Sequence, residues 1–195
     1  TAYLNGADPL PAYTISDQDI PHRFSMSFIY ELPFGRGRRL FANAPRGVSA
    51  IVSGWQVQGI HVRQSGPPIG FGNMLFYGDI KKIALDKGQR NIDRWFDTSM
   101  FERNNTRALV SNVRVAPLRF SGIRSPGPVN WDLSVLKNTR INEKMNVQIR
   151  GEFLNATNSP FFAAPNQDQY STAFGTITTT RGYARRIQLG IKLIY

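Results

Sequence analysis

Five stretches of the sequence alternate between apolar and polar residues with a period of two, the pattern of a β-strand whose two faces meet different surroundings. The cleanest is the fourth, in which the odd-numbered residues from Met145 to Phe153 are apolar or glycine and those between them are polar or charged. The predicted strands lie near residues 23–33, 54–65, 130–138, 145–155 and 184–195. Because 17 glycines and 12 prolines are scattered along the chain, long helices are excluded and an all-β antiparallel fold is predicted.

The length of these strands favours a membrane barrel. Each run has roughly 8 to 11 residues, and a strand that crosses a bilayer at a tilt needs about 9 to 11. No apolar run approaches the roughly 20 residues of a transmembrane helix. Residues 1–195 are therefore predicted to form one antiparallel transmembrane β-barrel segment with about five membrane strands and long extracellular loops.

The connections between the predicted strands alternate in length, as they do in outer-membrane barrels. Residues 139–144 form a tight polar turn, whereas 66–129 and 157–183 are long, rich in turn-forming residues, and predicted to be outer loops. The connection 34–54 departs from this rule, because it is long yet falls on the side of the short turns. A weak pattern at Asn73–Asp86 suggests an additional hairpin among the outer loops.

Alternation alone also fits a soluble β-sandwich, but the aromatic residues favour a membrane. If the last strand runs down to the periplasm, the directions of the other strands follow. Aromatic residues then form an outer girdle of Phe24, Trp131 and Phe153 and an inner girdle of Trp55, Phe34 and Tyr195. In a soluble domain the same residues would simply fill a core.

The end of the chain resembles the signal by which barrel precursors are recognised by the outer-membrane insertion machinery. Its spacing is carried by Gln188, Gly190, Leu193 and Tyr195. A terminal strand edge must pair with the insertase while its apolar face meets lipid. A terminal strand of a soluble core is the alternative.

Five strands are too few to close a barrel, because single-chain bacterial barrels have even strand numbers of about 8 or more. The chain also begins at Thr1 without an initiator Met or signal peptide, so we expect a processed or truncated piece of a larger barrel. Polar residues on the alternating strands are predicted to face the lumen and to pair with one another: Asp132, Gln148, Arg150, Glu152 and Lys192.

One basic residue conflicts with a lipid-facing strand. Arg63 continues the phase of Trp55, with His61 beside it, and would therefore face lipid. It would lie roughly 19 Å up an apolar band about 25 Å tall, where an arginine can reach headgroup phosphates. Alternatively, a bulge at Gly59 reverses the phase, so that Ile60 and the residues after it exchange faces.

The net charge of +11, from 24 basic and 13 acidic residues, motivates a second hypothesis. In it the chain is a soluble basic β-domain that binds nucleic acid through a cluster of arginines close to two phenylalanines. The residues of this cluster are Arg36, Arg38 and Arg39, with Phe34 and Phe41. The membrane hypothesis has no nucleic-acid partner.

Residues for catalysis or metal binding are sparse, so no enzyme activity, cofactor or metal is predicted. There are no cysteines, and His22 and His61 are not spaced as metal ligands. Calcium binding is considered for the acidic residues of the first long loop, but their spacing is irregular. These residues are Asp79, Asp86, Asp93 and Asp97.

Several short motifs, in this order, resemble the C-terminal end of TonB-dependent outer-membrane receptors of the Oar-like type, which carry a carboxypeptidase-regulatory-like domain. They span most of residues 19–195. The motifs are Asp19-Ile20-Pro21-His22-Arg23-Phe24, Tyr30-Glu31-Leu32-Pro33-Phe34-Gly35, Gly54-Trp55-Gln56-Val57-Gln58-Gly59, Gln64-Ser65-Gly66, Arg94-Trp95-Phe96-Asp97-Thr98, Gly127-Pro128, Asn130-Trp131-Asp132-Leu133-Ser134, Arg150-Gly151-Glu152-Phe153-Leu154-Asn155 and Arg186-Ile187-Gln188-Leu189-Gly190-Ile191-Lys192-Leu193. The departures are His61 and Arg63, where we expect aromatic or small residues, and the polar stretch 155–158, where we expect a more apolar sequence.

The resemblance implies a barrel of about 22 strands with a plugged lumen in the outer membrane of a Gram-negative bacterium. It implies energised uptake of an unidentified ligand, with force delivered by the TonB complex through a plug that is not in this sequence. Lumen-facing residues would then also contact the plug, and loop 66–129 would help capture ligand. Expected partners are outer-membrane lipid and lipopolysaccharide, the barrel insertion machinery, the TonB complex and the ligand.

Overall fold

The structure is a computed structural model that describes residue 3, residues 5–108 and residues 116–195. The chain is all-β, mostly antiparallel and almost without helix, as predicted. In chain order its elements are β1 (Arg23–Glu31), α1 (Arg46–Val52), β2 (Trp55–Gln64), β3 (Pro68–Ile69), β4 (Phe120–Arg124), β5 (Val129–Arg140), β6 (Asn146–Leu154), β7 (Phe161–Phe162), β8 (Thr180–Arg181) and β9 (Arg186–Ile194). Two short 3-10 helices span Ile80–Ile83 and Asn105–Arg107.

The long strands form a 5-stranded sheet in the order β1-β2-β5-β6-β9, and they coincide with the five alternating stretches. Strands β2, β5, β6 and β9 pair antiparallel with their neighbours. Strand β1 joins β2, with the N–H of Leu32 donating to the carbonyl of Trp55 at 2.9 Å. Within the described residues β1 and β9 are free edges, so the sheet is open rather than closed into a barrel.

Local chemistry explains where the strands end. Strand β2 follows Gly54, whose φ of +75° suits glycine and whose place against the carbonyl of Asn138 has no room for a side chain. The turn between β5 and β6 is closed by Asn142, whose Oδ1 accepts hydrogen bonds from the N–H groups of Lys144 and Met145. The tight polar turn predicted at 139–144 is therefore observed between Arg140 and Asn146.

The register of β2 on β5 decides the position of Arg63. It runs without interruption from Trp55 opposite Lys137, through Gly59 opposite Leu133, to Arg63 opposite Val129. Residues opposite each other in an antiparallel pair lie on the same face of the sheet. Arg63 therefore keeps the phase of Trp55, and the alternative of a bulge at Gly59 is wrong.

The chain divides into two compact units. The sheet unit consists of Phe24–Arg63, Val129–Pro160 and Gly182–Tyr195, and the loop unit of Thr1–Arg23, Gln64–Pro128 and Phe161–Arg181. The loop unit contains the buried hydrophobic core of the described residues, formed by Ile69, Phe71, Met74, Ile83, Phe96, Phe101, Ala116, Phe120, Ile123 and Phe174.

The predicted outer loops are thus a packed body rather than open loops. Phe71 lies at the centre of its core, with ring centroids 4.9 Å from Phe96, 5.0 Å from Phe101 and 5.5 Å from Phe120. The hairpin suggested at Asn73–Asp86 is wrong: this segment holds the 3-10 helix Ile80–Ile83, and Phe76 bridges to Phe101 instead. No helix among the described residues has the length and apolarity needed to cross a membrane.

Candidate functional site: the two faces of the sheet

Even-numbered residues of β2, β5, β6 and β9 form the polar face of the sheet. One row across it joins Gln58, Ser134, Glu152 and Gln188, and the neighbouring row carries Arg150 beside Gly190. The phase is the one the sequence predicts for the lumen side, since charged groups can meet water and one another there.

The residues predicted to face the lumen have different partners within this face. Arg150 and Glu152 form an ion pair, and Gln148 donates to the side chain of Asn138 at 2.9 Å. Asp132 accepts from the backbone N–H of Asn155 at 2.8 Å, so it supports the turn after β6 instead of another charge. Lys192 lies opposite Gln148 on edge strand β9, and its side chain makes no hydrogen bond or ion pair with any described residue.

A cleft of about 660 Å³ opens on this polar face. Its walls combine the charged and polar side chains of Asp132, Glu152 and Gln58 with the apolar side chains of Ile29 and Ile60. Such a mixture suits the binding of another protein segment or a ligand of mixed polarity.

Odd-numbered residues of β6 and β9, with the even-numbered ones of β1, form an apolar face that the rest of the described chain leaves largely exposed. On β9, Leu189 is 83% and Ile191 77% exposed. Other exposed apolar residues of this face are Phe24, Met26, Tyr30, Ile149, Ile187 and Leu193. A continuous apolar surface of this kind is typical of contact with lipid or a partner, and it is not the buried core of a sandwich.

The residues of the predicted outer girdle lie near one end of this face. His61 stacks on Trp131 with ring centroids 4.1 Å apart, and the ring of Phe24 lies 5.9 Å from His61 on its other side. His61 Nδ1 lies 2.9 Å from the carbonyl of Asn130, which can only accept, so Nδ1 carries the proton. His61, a departure from the expected sequence, thus extends the aromatic row. Phe153 lies opposite Leu133 and Ile187.

The inner girdle residues lie toward the opposite end of the apolar face. A buried lysine, Lys137, which no sequence pattern indicates, lies beside them. Trp55 is opposite Lys137, and Lys137 Nζ lies 5.7 Å from the centroid of the Trp55 ring. Lys137 is only 9% exposed, and its Nζ donates to the carbonyls of Ala50 at 2.7 Å and Ser53 at 2.8 Å. Its phase places it on the same face as Trp55, but α1 and its C-cap residue, which supply these carbonyls, have no signal of their own in the sequence.

The residues of the proposed assembly signal divide between the two faces. Gln188 and Gly190 lie on the polar face opposite Glu152 and Arg150, whereas Leu193 lies on the apolar face opposite Val147. Tyr195 follows the end of β9 and is 96% exposed. The strand that carries the signal is therefore an edge whose backbone and apolar side chains are both accessible.

The polar stretch 155–158, also a departure, forms a satisfied turn. Asn155 is buried and has a φ of 50°, which asparagine tolerates better than most residues. Its Nδ2 donates to the carbonyls of Ser159 and Tyr183, each at 3.1 Å, and its Oδ1 accepts from the N–H of Ser159. A polar residue is required here because the turn buries backbone groups that need partners.

In the loop unit the most connected carboxylate is Glu102, which is 8% exposed. It accepts from the Tyr77 hydroxyl at 2.7 Å and from the Asn104 N–H at 2.9 Å, and Arg107 lies 3.5 Å away. The hydrogen bond from Tyr77 is the main reason that the pKa of Glu102 is lowered, and it raises the pKa of Tyr77 in turn. The N–H of Ser99 similarly lowers the pKa of Asp97.

The acids considered for calcium are not gathered into a site. Asp79 accepts from the N–H of Lys81 at the start of a 3-10 helix, and Asp97 pairs with Arg94 at 3.5 Å. Across residues 3, 5–108 and 116–195, no group of three or more histidine or acidic side chains is placed to hold a metal ion.

Comparison with known proteins agrees with the two-faced sheet. A family model described as "Outer membrane beta barrel domain" matches residues 1–188. No curated protein and no solved structure matches the chain. The exposed apolar face and the polar opposite face agree with this match, which points to the outer membrane of a Gram-negative bacterium. The chain belongs to the outer membrane β-barrel domain family.

Proposed function

We propose that this chain is part of the barrel of an Oar-like TonB-dependent receptor that takes up an unidentified ligand across the outer membrane. The observation that carries the proposal is the open sheet with free edges at β1 and β9 and a largely exposed apolar face. In lipid, unpaired backbone groups of an edge cost several kcal/mol each, so further strands must pair with these edges. The motif resemblance described above favours the large plugged barrel over smaller ones.

The lengths of the connections support one orientation. The short turn between β5 and β6 and the connection from β1 to β2 join strands at one end of the sheet. The long connections from β2 to β5 and from β6 to β9 join strands at the other end. Outer-membrane barrels place short turns in the periplasm and long loops outside. These long connections would then face the medium, and loop 66–129 would help capture ligand.

The polar face supports the presence of a plug. Its cleft, lined by Asp132 and Glu152, lies on the side that a closed barrel turns toward its lumen. The ammonium group of Lys192 has no ion-pair partner among the described residues, and a carboxylate of the plug would form an ion pair with it. Energy from the TonB complex would act on this plug and not on the strands described here.

Nucleic-acid binding finds no support in the family match. Of the arginines on which it rests, Arg38 is engaged by Glu31 at 3.1 Å. The apolar side chains of the alternating strands are exposed, whereas a soluble basic domain would have to bury them.

The first test determines the mass and location of the native protein. An antibody against 183–195 is applied to fractionated source cells, with and without heating before electrophoresis. We expect a band near 100 kDa, as about 22 strands and a plug require, in the outer membrane. A soluble band near 22.0 kDa would overturn the proposal.

The second test addresses energisation. Cells are cross-linked with formaldehyde, and the receptor is isolated with the same antibody. We expect a heavier adduct that contains TonB and is missing from cells lacking TonB. An outer-membrane protein of the expected mass that never forms this adduct would contradict the TonB-dependent part of the proposal while leaving the barrel intact.

A further inference from the structure

Residues 34–54, which connect β1 and β2, are called the rim segment. This segment exposes apolar side chains and buries a polar one, the reverse of what contact with water favours. In α1 the buried residue is Ser49, while Val48 and Ile51, three positions apart on one side of the helix, are exposed. Leu40 and Phe41 of the same segment are exposed as well. A surface helix in water normally buries its apolar side, so this one is inverted.

The rim segment is fixed to the apolar face of the sheet by its polar groups. Lys137 Nζ donates to the carbonyls of Ala50 and Ser53, and Trp55 Nε1 donates to the carbonyl of Ile51 at 2.9 Å. These are carbonyls at the end of α1 that the helix itself leaves without partners, and a cation is favourable there. The inverted helix is thus held beside the lipid-facing surface of the same unit.

The charge of the rim segment is entirely positive. It contains Arg36, Arg38, Arg39 and Arg46 and no acidic residue. Arg38 is paired with Glu31, whereas Arg36, Arg39 and Arg46 are exposed and their side chains form no hydrogen bond or ion pair with any described residue. Arginine binds phosphate oxygens in a bidentate manner, so these three groups suit anionic headgroups.

We propose that the rim segment is a peripheral membrane anchor: its exposed apolar residues enter the lipid, and its free arginines bind anionic phospholipid headgroups. An apolar side combined with basic residues is the composition of a helix that lies in the interface. Ile51 adjoins the apolar face of the sheet, because its carbonyl accepts the hydrogen bond from Trp55 Nε1, and this proximity favours lipid over a protein partner. The choice of phospholipid rests on the orientation given under Proposed function, with this end of the sheet in the periplasm.

The test uses the full-length receptor with a single cysteine at Ile51→Cys, labelled with bimane and reconstituted into vesicles of phosphatidylethanolamine and phosphatidylglycerol. The matched control is Lys144→Cys, in the polar turn at the same end of the sheet. We expect brominated lipid to quench the label at position 51 several-fold more than at 144, and iodide to do the reverse. If iodide quenches both alike, the rim segment is in water and the anchor is overturned.

The headgroup part is tested by comparing brominated phosphatidylglycerol with brominated phosphatidylcholine at equal mole fraction. We expect stronger quenching by the anionic lipid, reduced by salt and lost in the variant Arg36→Gln, Arg39→Gln, Arg46→Gln. Equal quenching by both lipids in the parent protein would overturn binding of anionic headgroups. Salt or the triple variant leaving the preference unchanged would overturn the role of the arginines.

These results are separable from the proposed function. A receptor that never contacts TonB would still give the quenching pattern. The orientation is read separately, by adding a membrane-impermeant maleimide to intact cells that carry Lys144→Cys. Protection of this cysteine is expected, and labelling would place this end of the sheet outside and overturn the choice of phospholipid.

Discussion

Gly59 is closely packed on the apolar face, beneath the side chains of Phe28 and Leu133. A methyl group there would collide with the ring of Phe28 and lie 2.9 Å from Leu133 Cδ2. The bulky ring over a glycine covers backbone that would otherwise lack side-chain contacts. A residue with a side chain at this place must displace an aromatic ring from the centre of the sheet.

We therefore expect Gly59→Ala to destabilise the folded barrel by roughly 1–3 kcal/mol, as overpacking does. The control is Gly151→Ala on the same face, where the nearest atom would be Leu189 Cδ2 at 3.6 Å, an ordinary contact. The measurement is the urea midpoint of the full-length protein in lipid vesicles. Equal midpoints for the two variants would show that the ring of Phe28 is not rigidly placed.

A second residue-scale prediction concerns acid. The pKa values of Glu102 and Asp97 are lowered by hydrogen bonds in the folded state, so the unfolded chain binds protons at a higher pH than the folded one. The stability that these carboxylates contribute is complete above the unfolded values of about 4 and is lost as the pH falls through the folded values. Hydrogen exchange of peptides from the loop unit, normalised to the unfolded peptides at each pH, measures this.

The variant Tyr77→Phe isolates the contribution of the main hydrogen bond. Without the hydroxyl donor, the pKa of Glu102 moves back up toward its ordinary value, so protection falls at neutral pH and depends less on acid. In Glu102→Gln the remaining acid dependence is that of Asp97. An unchanged pH profile in both variants would contradict this account.

At the scale of elements, the long strands were readable from the sequence because their signal is local. In β6 the apolar and polar residues alternate one by one, so any two consecutive residues show which side chain lies on which face. The neighbouring antiparallel strands β5 and β9 place residues of the same face opposite them. The partner of Lys137 was not readable, because the carbonyls of Ala50 and Ser53 come from a segment more than 80 residues earlier. Helix α1 has 7 residues, and its N-cap residue, Pro45, makes no side-chain capping hydrogen bond, so it lacks the usual start signal.

The register of β9 allows a direct chemical test. Val147 and Leu193 are opposite each other, so the pair Val147→Cys with Leu193→Cys is expected to form a disulfide on mild oxidation. The control pair, Val147→Cys with Ile191→Cys, is two residues out of register and is expected to remain reduced. The readout is mobility on non-reducing gels, in a background without other cysteines. Preferential oxidation of the control pair would show that β9 is shifted.

The terminal strand also carries the prediction on assembly. Removal of Tyr195 is expected to reduce the amount of full-length protein in the outer membrane sharply, because the apolar terminus of the edge strand is part of the proposed signal. Tyr195→Phe retains the aromatic ring and should assemble normally. The measurement is the heat-modifiable fraction in outer-membrane preparations, and normal assembly without Tyr195 would count against the signal.

At the scale of the whole molecule, the loop unit has a core that the sheet unit does not share. Its phenylalanines come from distant positions between 71 and 174 without any period, which is why the sequence indicated only long loops. Phe96 is 0% exposed and lies 5.2 Å from Phe174. Phe96 precedes β5 in the chain and Phe174 follows β6, so their contact forms only when two segments distant in sequence pack together.

Phe96→Ala is expected to destabilise the loop unit by about 3–5 kcal/mol while the strands remain assembled. Protease added to intact cells should then cut within 64–128, and the barrel should keep its heat-modifiable mobility. The control Phe41→Ala removes an exposed ring of the rim segment and should not change cleavage of the loops. Loss of the barrel together with the loops would mean that the two units fold as one.

The discontinuous core has a consequence for immune recognition. A surface built from three separated stretches presents epitopes whose residues are neighbours only in the folded protein. In the orientation proposed above, antibodies raised against the denatured chain or against single-loop peptides are therefore expected to bind living cells poorly. Immunogens meant to mimic this surface must carry all three stretches and the phenylalanines that hold them together.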